Sequence, residues 1–195
     1  MRELHRRWRR QRLLADQRLL AGVLALLMLG ATSGRSSEAQ ATRSASARPA
    51  EPSPCLTKAP SRVAANTWVP AHKQLAPAGA SAIRLCGYDG LNAKPRFKLA
   101  ASAFIRNRRV MVELVSEFDA LPSLRPGVFA CPDDDGSEII ALLAYPDGHE
   151  VTISASVTGC SVVSNGDVAR SADYGPPGPH LMAQLERLSG YHRDI

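Results

Sequence analysis

CPDDDGSEIIALLAYPDGHEVTISASVTGCSVVSNGDVAR, running from Cys131 to Arg170, is where side-chain pattern, turn chemistry and cysteine placement agree. Ile139 to Tyr145 and Glu150 to Val157 are two β-rich runs joined by Pro146-Asp147-Gly148. In the second run Val151, Ile153, Ala155 and Val157 alternate with Glu150, Thr152, Ser154 and Ser156, the period of two that gives a strand one dry face and one wet face. Val162-Val163 and Val168-Ala169 flank Asn165-Gly166, a dipeptide that tolerates positive φ at both centres of a type I′ turn. A second hairpin is therefore expected, and the whole stretch reads as a three- or four-stranded antiparallel meander.

The cysteines fit that meander. If Pro146 to Gly148 is the turn, Val157 lies across from about Glu138, and Cys160 emerges beside the loop that holds Cys131. Four cysteines allow three pairings. Hairpin geometry prefers Cys131 with Cys160, which leaves Cys55 for Cys86. Each bridge would stabilise a small domain by about 2–4 kcal/mol. None of the four stands in a C-x-x-C pair or at metal-ligand spacing from a histidine, and no neighbouring His supplies the low-pKa setting of a reactive thiol.

Working outward, Ser81 to Tyr88 alternates Ile83, Leu85 and Gly87 against Ala82, Arg84 and Cys86, which predicts a strand with Cys86 facing away from Ile83. Phe97 to Ile105 predicts a weaker second strand, because its alanines suit helix or strand alike. Asn107 caps a helix whose apolar stripe is Met111, Leu114, Val115, Phe118 and Leu121, ended by Pro122. That stripe packs on the sheet. Trp68 opens the domain as a plug at the core edge. After the meander, Pro176-Pro177-Gly178-Pro179 leads into a short amphipathic helix through Leu181, Met182, Leu185 and Leu188, with Gly190 to stop it. The expected fold is α+β: an antiparallel sheet of about five or six strands with two helices on one face. The domain spans residues 66–190, and residues 191–195 are expected to fray.

Upstream of residue 66 the chain changes character. Arg2, Arg6, Arg7, Arg9, Arg10, Arg12 and Arg18 precede the apolar run LLAGVLALLMLGA, Leu19 to Ala31, and small residues follow. This basic, apolar, small-residue order predicts an export signal over residues 1–33, by general secretion, with cleavage after Ser33 or Ala41. The run has 13 residues, where a spanning helix takes about 20; the alternative is an uncleaved signal anchor through residues 19–31. No cysteine lies at the cleavage zone, which argues against a lipoprotein. Residues 34–65 are rich in Ser, Ala, Pro and Arg, with almost no bulky apolar side chains, and read as a disordered linker.

Charge and motif exclude more than they assign. The net charge of +6 belongs mostly to the leader, because residues 1–41 hold eight Lys/Arg against three Asp/Glu and the remainder holds sixteen against fifteen. A nearly neutral domain with 5% aromatic residues lacks the basic, stacking surface of a nucleic-acid binder. There is no G-x-S-x-G elbow, phosphate loop or H-E-x-x-H, and no cofactor is expected. His72, His149 and His180 stand alone in sequence as exposed loop or strand residues. Asp133, Asp135 and Glu138, in Asp-Asp-Asp-Gly-Ser-Glu, are the candidate oxygen ligands for a hard cation such as calcium, without the spacing of a complete calcium loop.

RLCGYDGLN at Arg84 to Asn92, a helix, ALP at Ala120 to Pro122, CPDDDGS at Cys131 to Ser137, YPDG at Tyr145 to Gly148, TGC at Thr158 to Cys160 and PPGP at Pro176 to Pro179 follow one another in this order. The order resembles small exported proteins of high-GC actinobacteria and their relatives, a group with no assigned activity. The likeness covers roughly residues 68–190. It implies the fold and an extracytoplasmic address, and transfers no functional residue. The expected function is an exported, non-catalytic binding or interaction module, secreted or held in the cell envelope, that meets a membrane only through its N-terminal apolar segment. Its partner is an extracytoplasmic ligand or protein. The alternative is a small secreted hydrolase with a dispersed active site.

Overall fold

The computed structural model describes residues 50–127 and 130–192, all within one compact unit, Ser44–Ile195. The export signal or anchor expected over residues 1–33 and the first part of the linker, residues 34–49, lie outside the described residues. Among the described residues, no helix is long and apolar enough to cross a membrane.

The architecture is α+β. Six strands, β1 (Ala82–Tyr88), β2 (Leu99–Ile105), β3 (Glu138–Ala144), β4 (Glu150–Ser156), β5 (Val162–Ser164) and β6 (Ala169–Ser171), form one sheet in the order β2-β1-β3-β4-β5-β6. Every neighbouring pair is antiparallel. The meander read from residues 131–170 supplies the last four strands, and the chain before it adds β1 and β2 beside β3. Two helices, α1 (Arg108–Ala120) and α2 (Gly178–Ser189), share the main core on the front face. Asn107 caps α1 as its side chain predicts, its Oδ1 accepting the amides of Arg109 and Val110 at 3.0 and 3.3 Å.

Alternation sorts the side chains. Ile83 and Leu85 of β1, Ile139, Ala141 and Leu143 of β3, and Val151, Ile153 and Ala155 of β4 meet Leu114, Phe118, Leu181 and Leu185 in the front core. The opposite face carries a second cluster, Cys86, Tyr88, Ile140 and Leu142. The central strand β3 is thus buried on both faces, which is why EIIALLA is a nearly continuous apolar run rather than an alternating one. Apolar residues on both faces require a cover on both. The helices supply one, and residues 50–67 supply the other.

That second cover corrects the linker reading. Residues 50–65 are not a free tether; they are laid on the back of the sheet, disulfide-bonded at Cys55 and joined by an isolated bridge between Lys58 and Lys98, just before β2. They hold by covalent and backbone bonds where composition considers only apolar burial. Two other expectations change. Tyr191, placed in the frayed tail of residues 191–195, is 3% exposed and packs on Gly87, where an added Cβ would lie 2.6 Å from the Tyr191 Cβ. The Asn165-Gly166 turn is not type I′: Gly166 has φ 91°, while Asn165 stays outside the left-handed region. Its side chain has another task.

Candidate functional site

The back of the sheet and the strap over it form the two walls of the site, a half-open cleft. Cys86 and Tyr88 of β1, Ile140 and Leu142 of β3, and Glu150 and Thr152 of β4 form a floor. The strap crosses this floor twice. Its outgoing leg starts where the amide of Ser53 donates to Glu150 Oε2 at 2.6 Å. It is pinned by the Cys55–Cys86 disulfide, and Tyr88 donates its hydroxyl to the Leu56 carbonyl at 3.1 Å. The elbow binds the start of β2, with Leu99 N–H donating to Thr57 O at 3.0 Å and Ala59 N–H to Phe97 O at 2.8 Å. The return leg ends at the β5–β6 hairpin, where the Asn66 amide donates to Asp167 Oδ2 at 2.7 Å and its side chain to Asn165 O at 2.5 Å. Between the legs and the floor lies a cavity of about 470 Å³.

The cavity wall is mostly apolar. Pro54 and Leu56 come from the outgoing leg, Pro60 and Val63 from the return leg, Ile140 and Leu142 from the floor. Two charged side chains line it, Arg62 and Glu150. Burial raises the Tyr88 hydroxyl pKa; the bond to Leu56 lowers it in part, and the nearby charge of Glu138 raises it further. Burial also pushes the Glu138 carboxyl up to about 7.

Asn165 holds the far anchor and was legible only as a turn residue. It is fully buried, its amide Nδ2 donating to the carbonyls of Ala71 and Gln74 at 2.8 Å and Leu75 at 3.2 Å. Its Oδ1 accepts the amides of Asp167 and Val168 at 3.0 and 2.8 Å. One side chain therefore locks the hairpin to the 3-10 turn Val69–His72 and so fixes where the return leg lands. Beside it Trp68 plugs the core edge, 4.6 Å from the Tyr145 ring and stacked 5.1 Å from His149.

The cysteines stand as hairpin geometry placed them: Cys131 is bonded to Cys160 with Cα atoms 5.0 Å apart, and Cys55 to Cys86 at 5.7 Å. The candidate cation ligands are not brought together. Asp133 adopts φ 60° in the turn. Asp135 Oδ1 accepts the Ser137 amide at 2.9 Å and the Thr158 hydroxyl at 2.8 Å. Burial would raise its pKa, but these hydrogen bonds outweigh it and hold the carboxyl below its ordinary value. Glu138 stands on β3, in the sheet itself. Among the described residues, no three His, Cys, Asp or Glu side chains gather as a metal site. The three histidines form separate pairs, His72 with Asp167 at 3.3 Å, His149 with Asp147 at 3.1 Å and His180 with Glu117 at 2.7 Å. Among the described residues, no hydrogen bond joins any of these rings to a serine, threonine or cysteine side chain, the contact that nucleophilic catalysis uses.

Fold and site together define a disulfide-pinned α+β domain with a strapped cavity. No family model matches the chain, and neither a curated protein nor a solved structure is significantly similar to it.

Proposed function

We propose that the protein is an exported, non-catalytic binding module whose strapped cavity takes a small ligand with an apolar body. The observation that carries the reading is the cavity itself. Its volume of about 470 Å³ lies within the ~300–1,000 Å³ range of small-molecule sites. A few polar groups at its rim are fixed by the strap's own bonds, as an orienting shell requires. Two disulfides suit an oxidising compartment, and the arginine-led apolar start suits delivery there. The membrane is then met only through that N-terminal segment.

The test is titration of the full chain with a neutral apolar dye such as Nile red, alongside Leu142→Trp, which puts an indole into the cavity from the floor. Wild type should show saturable binding, and L142W should lose it at least tenfold with an unchanged circular dichroism spectrum. Equal binding by L142W, or none by wild type, refutes the cavity reading. N-terminal sequencing of exported material tests the address; an uncleaved chain in the cytoplasm with free thiols would overturn it.

A further inference from the structure

Resting on that reading, we infer that the cavity's ligand is an amphiphile with a single anionic head, a monoalkyl carboxylate or phosphate, whose head is held by Arg62. Three of the cavity's polar side chains are engaged, and what remains beside Arg62 is the uncharged hydroxyls of Ser53, Thr67 and Thr152. Glu150 accepts the Ser53 amide, the Tyr88 hydroxyl donates to Leu56, and Asn66 is bound to Asn165 and Asp167. Arg62 is an exposed residue of the cavity lining, and among the described residues no carboxylate, hydroxyl or carbonyl is bonded to its guanidinium. A guanidinium presents its donors as a flat fork that matches two oxygens of a carboxylate or phosphate at once. The backbone beside it also has unengaged amides. Among the described residues, the amides of residues 61–65 donate to no protein acceptor, while those of Ala59 and Asn66 on either side do.

Apart from those hydroxyls, the rest of the cavity suits a tail. Pro54, Leu56, Pro60, Val63, Ile140 and Leu142 line it with carbon. Leu56 is 58% exposed, an apolar lip that a bound chain would cover. The one charge of opposite sign, Glu150, already accepts the Ser53 amide through Oε2, so it offers an alkylammonium a carboxylate that is partly engaged, whereas Arg62 offers an anion its whole fork.

The experiment is calorimetric titration of the full chain with dodecanoate, dodecyl phosphate, dodecan-1-ol and dodecylamine, one tail under four heads. Either anion should bind at least tenfold tighter than the alcohol and the amine, and the tighter of the two names the head. Arg62→Ala should erase the anionic preference while leaving the affinity for the alcohol unchanged, with Arg62→Lys in between. If all four bind alike, if the amine binds best, or if R62A keeps the preference, the anionic assignment falls and the cavity reading survives. If none binds and Nile red also fails, both fall together.

Discussion

Glu138 lies directly opposite Tyr88 in the register of β1 and β3, on the face of the sheet that the strap covers. A carboxyl placed there is poorly hydrated, and burial lifts its pKa from 4.5 to about 7. Between those two values the folded chain holds a proton that the unfolded chain has released. The stability that this proton confers is fully present below pH 4.5 and is lost as pH rises through about 7. At ~1.4 kcal/mol per pKa unit the difference is about 3 kcal/mol at most. Urea unfolding at pH 5 and pH 8 should show wild type more stable at the lower pH, and Glu138→Gln should flatten the difference. An equal slope in the variant would place the dependence elsewhere. The depressed carboxyl of Asp135 acts with the opposite sign, below its unfolded value of 3.8, and leaves this window clear.

Asn165 joins two segments about ninety residues apart in sequence, so its loss should be felt beyond its own turn. Asn165→Ala leaves buried carbonyls of Ala71 and Leu75 without their donor, at a cost of about 1–3 kcal/mol each where water cannot replace it. Asn165→Asp is expected to be worse, because it turns a carboxylate toward carbonyl oxygens. Thermal melting should rank wild type above Ala and Ala above Asp. If the two variants melt within a degree of wild type, the anchor role is refuted.

The strands, the α1 cap and both disulfides were legible because each is written locally: period-two alternation through Val151–Val157, an Asn before an apolar stripe, two cysteines flanking a hairpin of known length. The strap was not, because its cohesion is non-local. Residues 50–65 contain few bulky apolar side chains, and the bonds that hold them go to β1, β2 and β4. Cys55 was the one local sign, since a disulfide to Cys86 brings its neighbours back to the sheet. Asn165 looked like turn chemistry for the same reason: its partners are named only by the fold. The cavity follows from the strap and shared its invisibility.

The two disulfides should separate in function though they resemble each other in length. Cys55→Ser with Cys86→Ser frees the outgoing leg from the floor of the cavity, and Cys131→Ser with Cys160→Ser frees only the loop before β3. Each pair should lower stability by about 2–4 kcal/mol. Only the first should also weaken Nile red binding, by tenfold or more. Equal loss of dye binding in both, measured well below either melting transition, would show that the strap's tie to β1 is not what shapes the site.

Gly87 and Tyr191 give a test of the tail. The Tyr191 ring lies where a side chain on Gly87 would stand, with its Cβ and Cγ 2.6 and 2.8 Å from the added carbon. That carbon points into a close-packed front core, so Gly87→Ala should cost about 1–3 kcal/mol by displacing the ring. Tyr191→Ala should cost a similar amount through the buried area it gives up. Because both changes disturb one contact, the double variant Gly87→Ala, Tyr191→Ala should lose distinctly less than the sum of the two, the methyl group occupying space that the ring has vacated. Strict additivity in urea unfolding would mean that the residue after Gly190 does not dock on β1 in solution, and that the C-terminus ends with α2 after all.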